Sequence, residues 1–204
     1  MDIQGKIFLQ PGKQARILFL LENIKKDSRI NQSSLGRRVG LSGAMVNSYI
    51  KQFTKDGLLT LKPVNGKSYA YELTPEGEEM RQNMLGEYSA EIVRIYSSLK
   101  EKIRGKLKSL EDNGDKRLVL FGASETCEAV FSALQETDLR ILAVADNDPG
   151  KQGRIFRGFA VSPPHILKHI EFDAAIITTF AHQKAIRSQL ETLLDKKKIK
   201  IVEL

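Results

Sequence analysis

Small and polar residues follow three apolar runs in the C-terminal half of the chain, and these are the residues best suited to ligand chemistry. A turn of sequence Gly-Ala-Ser-Glu follows the first run, Asp-Asn follows the second, and Thr-Thr comes at the end of the third. In an α/β fold with a parallel sheet, ligands bind in the crevice outside the carboxyl ends of the strands. The candidate cofactor-binding residues are Gly122, Ala123, Ser124, Glu125, Asp146, Asn147, Thr178 and Thr179.

The first of these turns is an altered phosphate-binding turn. A pyrophosphate binds bare backbone amides at a helix N-terminus, usually in the pattern Gly-x-Gly-x-x-Gly. Only the first glycine, Gly122, is present here, and Ser124 and Cys127 occupy the other two positions. Ser124 can cap the following helix, whereas Glu125 adds a negative charge near the phosphate position. Asp146 ends the second run, where an acidic residue would bond ribose hydroxyls.

Other reactive residue types show weaker patterns. His165 and His169 have the i, i+4 spacing of metal ligands on a helix, but no third ligand is evident nearby. Cys127, at the third-glycine position, is better explained by packing against the sheet than by redox chemistry. No Ser/His/Asp order or acid pair stands out. We therefore predict no catalytic residue, no metal site and no enzymatic activity.

A second kind of chemistry, binding of a polyanion, is indicated by where the charge lies. The 204 residues contain 32 Lys and Arg against 25 Asp and Glu, a net charge of +7. Residues 1–74 hold 12 basic and 5 acidic residues, whereas residues 75–114 net −1 and residues 115–204 net +1. The whole excess therefore lies in the first third, which predicts a nucleic-acid partner for that part.

The composition is that of an ordinary globular protein, with 41% hydrophobic and 28% charged residues. No apolar run approaches the roughly 18 residues that span a bilayer, and the N-terminus lacks a signal-peptide core. One cysteine excludes an internal disulfide and every all-cysteine metal site. We expect a cytoplasmic protein with no membrane partner.

The basic segment has the pattern of three helices and a β-hairpin. Helices are predicted over residues 14–24 and 34–39, and Gly-Leu-Ser then leads into a third helix capped by Ser42. Two β-type runs follow at residues 58–61 and 68–73, and the Asn-Gly pair between them favours a hairpin turn.

The segments SSLGRRVGLSGAMVNSYIKQFTKDGLL and YAYELTPEG fit this pattern, and over residues 14–79 the chain resembles the bacterial winged helix–turn–helix transcriptional regulators. The resemblance implies that the helix from Ser42 to Lys55 enters the major groove of double-stranded DNA. The alternative is a winged helix used for protein contacts.

The third helix has an outward face suited to that role. With Val46, Ile50 and Phe53 toward the core, Asn47 can present its amide to adenine and Ser48 can bond either base type. Small residues allow close backbone approach, and basic ones suit phosphates. The candidate DNA-binding residues are Arg37, Arg38, Ser42, Gly43, Ala44, Asn47, Ser48, Lys51, Lys55 and Lys67.

A long helix is predicted between the basic segment and the α/β part. Thr74-Pro75-Glu76 is a strong helix start, and no proline intervenes before Leu110. Leu85, Tyr88, Ile92, Ile95 and Leu99 step by 3, 4, 3 and 4 residues, the a/d spacing of a coiled coil, and the phase slips beyond them. We predict a homodimer through residues 80–110; the alternative is docking on the chain's own domains.

Strands and helices alternate after residue 113, which predicts a parallel sheet of four or five strands with helices on both faces. Strands are predicted at 117–121, 140–145, 174–178 and 200–202, with a short one at 159–161.

The stretch VADNDPGKQGRIFRGFAVSPPHIL resembles the nucleotide-binding Rossmann domains of bacterial polysaccharide enzymes, including nucleotide-sugar dehydratases and sugar acyltransferases. The layout as a whole is similar to redox-sensing winged-helix repressors that bind NAD. These resemblances imply NAD(H) or a nucleotide sugar as effector.

The sequence therefore predicts an α/β protein with three parts: a DNA-binding winged helix–turn–helix at 1–74, a dimerising linker helix at 75–112 and a Rossmann-like ligand-binding domain at 113–204. The predicted function is ligand-modulated, sequence-specific transcriptional regulation. Two alternatives are a nucleotide-sugar-modifying enzyme with a fused winged helix, and a structural adaptor whose Rossmann-like domain binds nothing.

Overall fold

The computed structural model describes residues 11–65, 68–135, 137–194 and 199–204, apart from the side chain of Ser68. The chain divides into two compact units, Met1–Val93 and Arg94–Leu204, and the division falls inside one long helix.

The first unit contains three helices and a hairpin, as the sequence predicts. Asn31 caps the second helix by accepting from the Ser34 amide at 2.8 Å, and Gly40 ends it in the left-handed conformation. The elements are α1 (Lys13–Lys26), α2 (Gln32–Val39), α3 (Gly43–Lys55), β1 (Leu59–Asn65) and β2 (Ser68–Leu73). The predicted Asn65-Gly66 turn lies partly outside the described residues.

The core of the first unit forms where the apolar faces of these elements meet. Val46, Ile50 and Phe53 of α3 are all buried, which confirms the predicted inner face of this helix. The antiparallel hairpin β1–β2 contributes Leu59 and Tyr71 to the same cluster. The result is a helix α3 whose opposite face is exposed.

The long helix α4 (Pro75–Asp112) begins where predicted. The Thr74 hydroxyl accepts from the Gly77 amide at 3.0 Å and donates to the Gly57 carbonyl at 2.7 Å. Gly77 lies so close to the first strand that a Cβ there would stand 2.0 Å from the Leu58 carbonyl oxygen. A glycine at this position therefore lets the helix start dock against the hairpin.

The second unit is built on a four-stranded parallel sheet of order β4-β3-β7-β8. Its strands and helices are β3 (Arg117–Phe121), α5 (Glu125–Leu134), β4 (Arg140–Ala145), β5 (Ile155–Phe156), β6 (Phe159–Ala160), β7 (Ala174–Ile177), α6 (Gln183–Leu193) and β8 (Lys200–Glu203). Between β6 and β7, Pro164–His169 forms a short 3₁₀ helix.

Alternating residues of the central strand face two separate cores, which confirms helices on both sheet faces. Leu118 and Leu120 pack with α5 and the C-terminal part of α4. Val119 and Phe121 pack on the other side, with the 3₁₀ helix and α6. This is the arrangement of a Rossmann-like domain.

The short strand predicted at 159–161 requires a correction. Phe159–Ala160 pairs antiparallel with Ile155–Phe156 in a two-stranded ribbon, outside the parallel sheet. Arg157 and Gly158 both have positive φ, so the chain turns back within two residues. The hairpin pairs with itself, and Ser162 just beyond it makes a single parallel bridge to Ala145 of β4.

In the part of the chain that the structure describes, no helix is long and apolar enough to cross a membrane.

Candidate nucleic-acid interface and ligand cleft

A tight turn presents the N-terminus of α3. The Leu41 amide donates to the Gly36 carbonyl at 2.9 Å, and the Ser42 hydroxyl accepts from the Met45 amide at 3.3 Å. This capping confirms the predicted role of Ser42 and leaves the first turn of α3 toward solvent.

Most of the predicted DNA-binding residues lie on the exposed surface of the first unit. Asn47 is half-buried, and Lys67 lies outside the described residues. Arg37 donates to the Ser34 hydroxyl at 3.2 Å, and Arg38 donates to the Asn23 amide oxygen at 3.4 Å. The exposed ones are Arg37, Arg38, Ser42, Gly43, Ala44, Ser48, Lys51 and Lys55.

The same surface contains an apolar side chain that the sequence argument missed. Met45 in the first turn of α3 is 40% exposed. The sequence gives no indication of this exposure. Apolar spacing identifies the buried positions Val46, Ile50 and Phe53, and Met45 lies next to this buried face of α3. On the hairpin, Leu61, Val64 and Tyr69 are also exposed.

A charged cluster joins the start of α4 to α1. Arg81, whose side chain is mostly buried, makes ion pairs with Glu22 of α1 and with Glu78, and Lys25 lies 3.4 Å from Glu78. The hydrogen bond from Arg81 is the main reason why the pKa of Glu78 falls to about 2. Edge-to-face packing of Tyr88 on Phe19, with centroids 5.6 Å apart, extends the contact.

The apolar positions of α4 have two different environments. Ile103, Leu107 and Leu110 are buried in the core of the second unit, and Leu99 packs against it. These residues confirm own-domain docking, the alternative to dimerisation, for the C-terminal part of the helix. The exposed apolar side chains of α4 are Leu85, Ile92, Val93, Ile95 and Tyr96.

A cleft of about 390 Å³ opens in the second unit at the carboxyl ends of β3 and β4. It brings together five of the eight predicted cofactor-binding residues: Gly122, Ser124, Asp146, Asn147 and Thr179. The other three, Ala123, Glu125 and Thr178, are not part of its lining.

Asp146 is nearly buried and bonds to the turn and loop around it. One carboxylate oxygen accepts from the Ala123 amide at 2.8 Å and from the Lys151 ammonium at 3.0 Å; the other accepts from the Asp148 amide at 2.9 Å. Burial raises the pKa of Asp146, but these hydrogen bonds outweigh it, so the net pKa is lowered. The sequence predicts that the Asp146 carboxylate bonds ribose hydroxyls. Both of its oxygens already accept hydrogen bonds from other groups of the chain.

The phosphate turn is also occupied by bonds within the chain. The Ser124 hydroxyl donates to the Thr178 carbonyl at 2.9 Å, so Ser124 stands at the cap position of α5 without a capping bond, contrary to the sequence argument. The Thr178 hydroxyl donates to the Gly122 and Phe121 carbonyls. Because the Ala123 amide is bonded to Asp146, the turn does not fit a pyrophosphate in the usual dinucleotide pose.

The cleft residues that sequence reasoning missed include Lys151, His182 and Gln189. Lys151 donates to the Ala123 carbonyl at 2.8 Å, and its side chain is 40% exposed. Gln189 and Asn147 exchange two amide hydrogen bonds of 2.8 Å, which link the loop after β4 to α6. Lys151 lies in the DNDPGKQG part of the stretch that resembles nucleotide-binding domains, so this resemblance could have identified it. No residue pattern in α6 indicates that Gln189 lines the cleft.

Cys127 is fully buried, and burial raises the pKa of its thiol to about 12. It packs against the sheet, as expected, and is unsuited to thiolate chemistry at neutral pH. Within the described ranges, no cluster of three or more His, Cys, Asp or Glu residues could hold a metal ion.

Two protein-family models match parts of the chain. Residues 16–60 match the family model of winged helix–turn–helix DNA-binding domains. The three helices and the hairpin have the arrangement of a winged helix. The match begins within α1 and ends within β1, so it includes all of α2 and α3, and the hairpin β1–β2 occupies the position of the wing. Residues 114–202 match a second family model, described as C2185-like, N-terminal.

Solved structures give weaker likenesses. The PcaV transcriptional regulator from Streptomyces coelicolor, in complex with its natural ligand, is 20% identical over 44% of this chain and 65% of its own, with a TM-score of 0.36. The Rex-family repressor RSP in complex with β-NAD⁺ and operator DNA is 15% identical over 94% of this chain and 76% of its own, with a TM-score of 0.37.

A MarR family protein from Mycobacterium tuberculosis, Rv2887 with salicylic acid, is 14% identical over 48% of this chain and 74% of its own, with a TM-score of 0.38. This chain spans 65% of the length of the PcaV chain, slightly less than two thirds. Likenesses at these scores establish no shared function. Among curated proteins, no significant match is found.

Proposed function

We propose that this chain is a sequence-specific transcriptional regulator that binds double-stranded DNA through α3. The observation that carries the proposal is the exposed first turn of α3, presented by a winged helix whose segment holds the whole net charge of +7. Ser48 and Lys51 are exposed farther along α3, and Asn47, beside Ser48, is half-buried. Recognition helices contact base edges with their N-terminal residues.

Three functional parts are proposed: DNA binding by 1–74, dimerisation within 75–112 through the exposed part of α4, and ligand binding by 113–204. Two-fold symmetric dimers bind paired half-sites one helical turn apart. The exposed apolar side chains between Leu85 and Tyr96 support pairing with a second copy, since large apolar groups on a charged helix are stabilised by burial.

The DNA-binding proposal is tested by selecting duplexes from a random-sequence pool with the full chain and measuring binding by mobility shift. Asn47→Ala together with Lys51→Ala should weaken binding to the selected duplex by at least tenfold, because a base contact and a phosphate contact are lost. Lys168→Ala, at an exposed lysine of the second unit, is the control. Equal affinity of the double variant and the wild type would contradict the proposal.

A small molecule of the nucleotide or nucleotide-sugar class is proposed to modulate DNA affinity from the cleft. The position of the cleft at the carboxyl ends of β3 and β4 supports this, and so does the partly exposed side chain of Lys151, which lines the cleft. Since Asp146 holds the Ala123 amide, phosphates would have to bind near Lys151 instead of in the glycine turn. Such a ligand shifts DNA affinity only by its differential affinity for two conformations.

Thermal shift with NAD⁺, NADH and UDP-N-acetylglucosamine tests the ligand proposal separately from DNA binding. The proposal predicts a rise in melting temperature with one of them, lost in Lys151→Ala. No rise with any would favour the adaptor alternative, which the internal bonds of Asp146 support because they satisfy the turn without a ligand. Turnover of a nucleotide sugar would favour the enzyme alternative.

A further inference from the structure

Met45 is the one large apolar side chain that the recognition helix places in solvent. It is 40% exposed, whereas Val46, Ile50 and Phe53 of the same helix are buried. Met45 therefore lies outside the apolar core that the described residues of the winged helix form. Its side chain is available to a partner of α3.

The position of Met45 is fixed by the helix cap. Its amide donates to the Ser42 hydroxyl, so Met45 lies in the first turn of α3. Ala44 precedes it and Ser48 follows one turn later, and both are exposed. Residues three apart on a helix are neighbours on its surface, so Met45 and Ser48 are adjacent.

Only one apolar group is available to such a side chain in the major groove, the C5-methyl group of thymine. Polar and basic residues at this place would read hydrogen-bonding edges or phosphates, but a thioether side chain can do neither well. Because the methionine side chain is unbranched and flexible, it can adjust its conformation to contact a methyl group in the major groove.

Resting on the proposed DNA-binding function, we propose that Met45 is a specificity-determining residue that contacts a thymine methyl group in the operator half-site. The contact buries a methyl group and the end of the Met45 side chain, and burial of one such group corresponds to about a fourfold change in affinity. Asn47 and Ser48 supply polar base contacts beside it.

The test is a double-mutant cycle between the protein and the DNA. Each thymine of the selected duplex is replaced in turn by deoxyuridine, which lacks only the methyl group, and dissociation constants are measured by fluorescence anisotropy. The wild-type chain should lose about fourfold in affinity at one thymine position, and Met45→Ala should show no loss there. Met45→Leu should retain most of the loss.

Ile155→Ala, at an exposed apolar residue of the second unit, is the matched control and should behave like the wild type. Uniform tolerance of deoxyuridine by the wild type, or an unchanged loss in Met45→Ala, would overturn the assignment while the DNA-binding function stands. Failure to select any duplex would overturn the proposed function itself and this inference with it.

Discussion

At the residue scale, Gly77 shows how closely the long helix approaches the hairpin. A Cβ at this position would meet the Leu58 carbonyl oxygen at 2.0 Å, whereas at Gly86 of the same helix it would meet open space. The nearest atoms are all backbone atoms of Leu58, so no flexible side chain can move aside to relieve the contact. The two glycines should therefore respond in opposite ways to the same substitution.

Gly77→Ala should lower the free energy of unfolding by about 3 kcal/mol, because the helix start must separate from β1. Gly86→Ala, the matched control, should raise it by about 1 kcal/mol through better helix propensity. Urea denaturation followed by circular dichroism measures both. A stabilising Gly77→Ala would mean that α4 does not dock against Leu58.

Asp146 connects the turn after β3 to the loop after β4 at the cleft through its carboxylate. Asp146→Asn keeps the shape but replaces one acceptor oxygen with a donor, which opposes either the Asp148 amide or the Ala123 amide together with the Lys151 ammonium. Loss of such buried bonds costs on the order of 2 kcal/mol, seen as a lower melting temperature.

Asp148→Asn is the control for this change. Its carboxylate accepts from the Gly150 amide at 2.8 Å, a bond that an Asn side chain keeps. Equal melting temperatures for the two variants would show that the bonds of Asp146 contribute little to stability.

At the element scale, α4 is attached to α1 by the cluster of Arg81, Glu22 and Glu78. The pKa of Glu78 is lowered from 4.5 to about 2 in the folded state. A carboxyl with a depressed folded pKa stabilises the fold above its unfolded pKa, and that contribution is lost as the pH falls from 4.5 towards 2.

Glu78→Gln should therefore flatten the fall of the melting temperature between pH 4.5 and pH 2, and lower the melting temperature at pH 7. Glu79→Gln, at the exposed neighbouring position, should leave the pH profile unchanged. Parallel pH profiles for the wild type and Glu78→Gln would show that the Arg81 pair does not form.

The exposed apolar part of α4 leads to a prediction about assembly. Ile92→Asp together with Ile95→Asp should convert a dimer to a monomer, since two carboxylates would have to be buried unpaired. Size-exclusion chromatography with light scattering measures the mass. Ser97→Asp, an equally polar change at another exposed position of the helix, should remain dimeric; a monomeric wild type would contradict the dimer proposal.

At the scale of the whole molecule, the sequence predicted those features that depend on periodicity and local signals. The cap of α3, the start of α4 and the parallel strands follow from apolar spacing and turn residues. The phase slip after Leu99 marks where α4 leaves solvent and enters the core of the second unit.

The sequence could not predict contacts made across the fold. The bond between Asp146 and the Ala123 amide joins residues 23 positions apart, and the Asn147–Gln189 pair joins residues 42 apart. Local pattern contains no information on such pairs. The exposure of Met45 was missed because helical periodicity identifies which positions are buried. It does not show that an apolar residue outside that pattern is exposed.

The salt dependence of DNA affinity tests the central claim, that α3 of a basic winged helix binds duplex DNA, most directly. The logarithm of the association constant for the selected duplex should fall linearly with the logarithm of the salt concentration, and Lys51→Ala should reduce the slope by about one. Lys168→Ala should leave the slope unchanged. A slope that is identical in the wild type and Lys51→Ala, at equal affinity, would contradict the assignment of α3 as the DNA-binding helix.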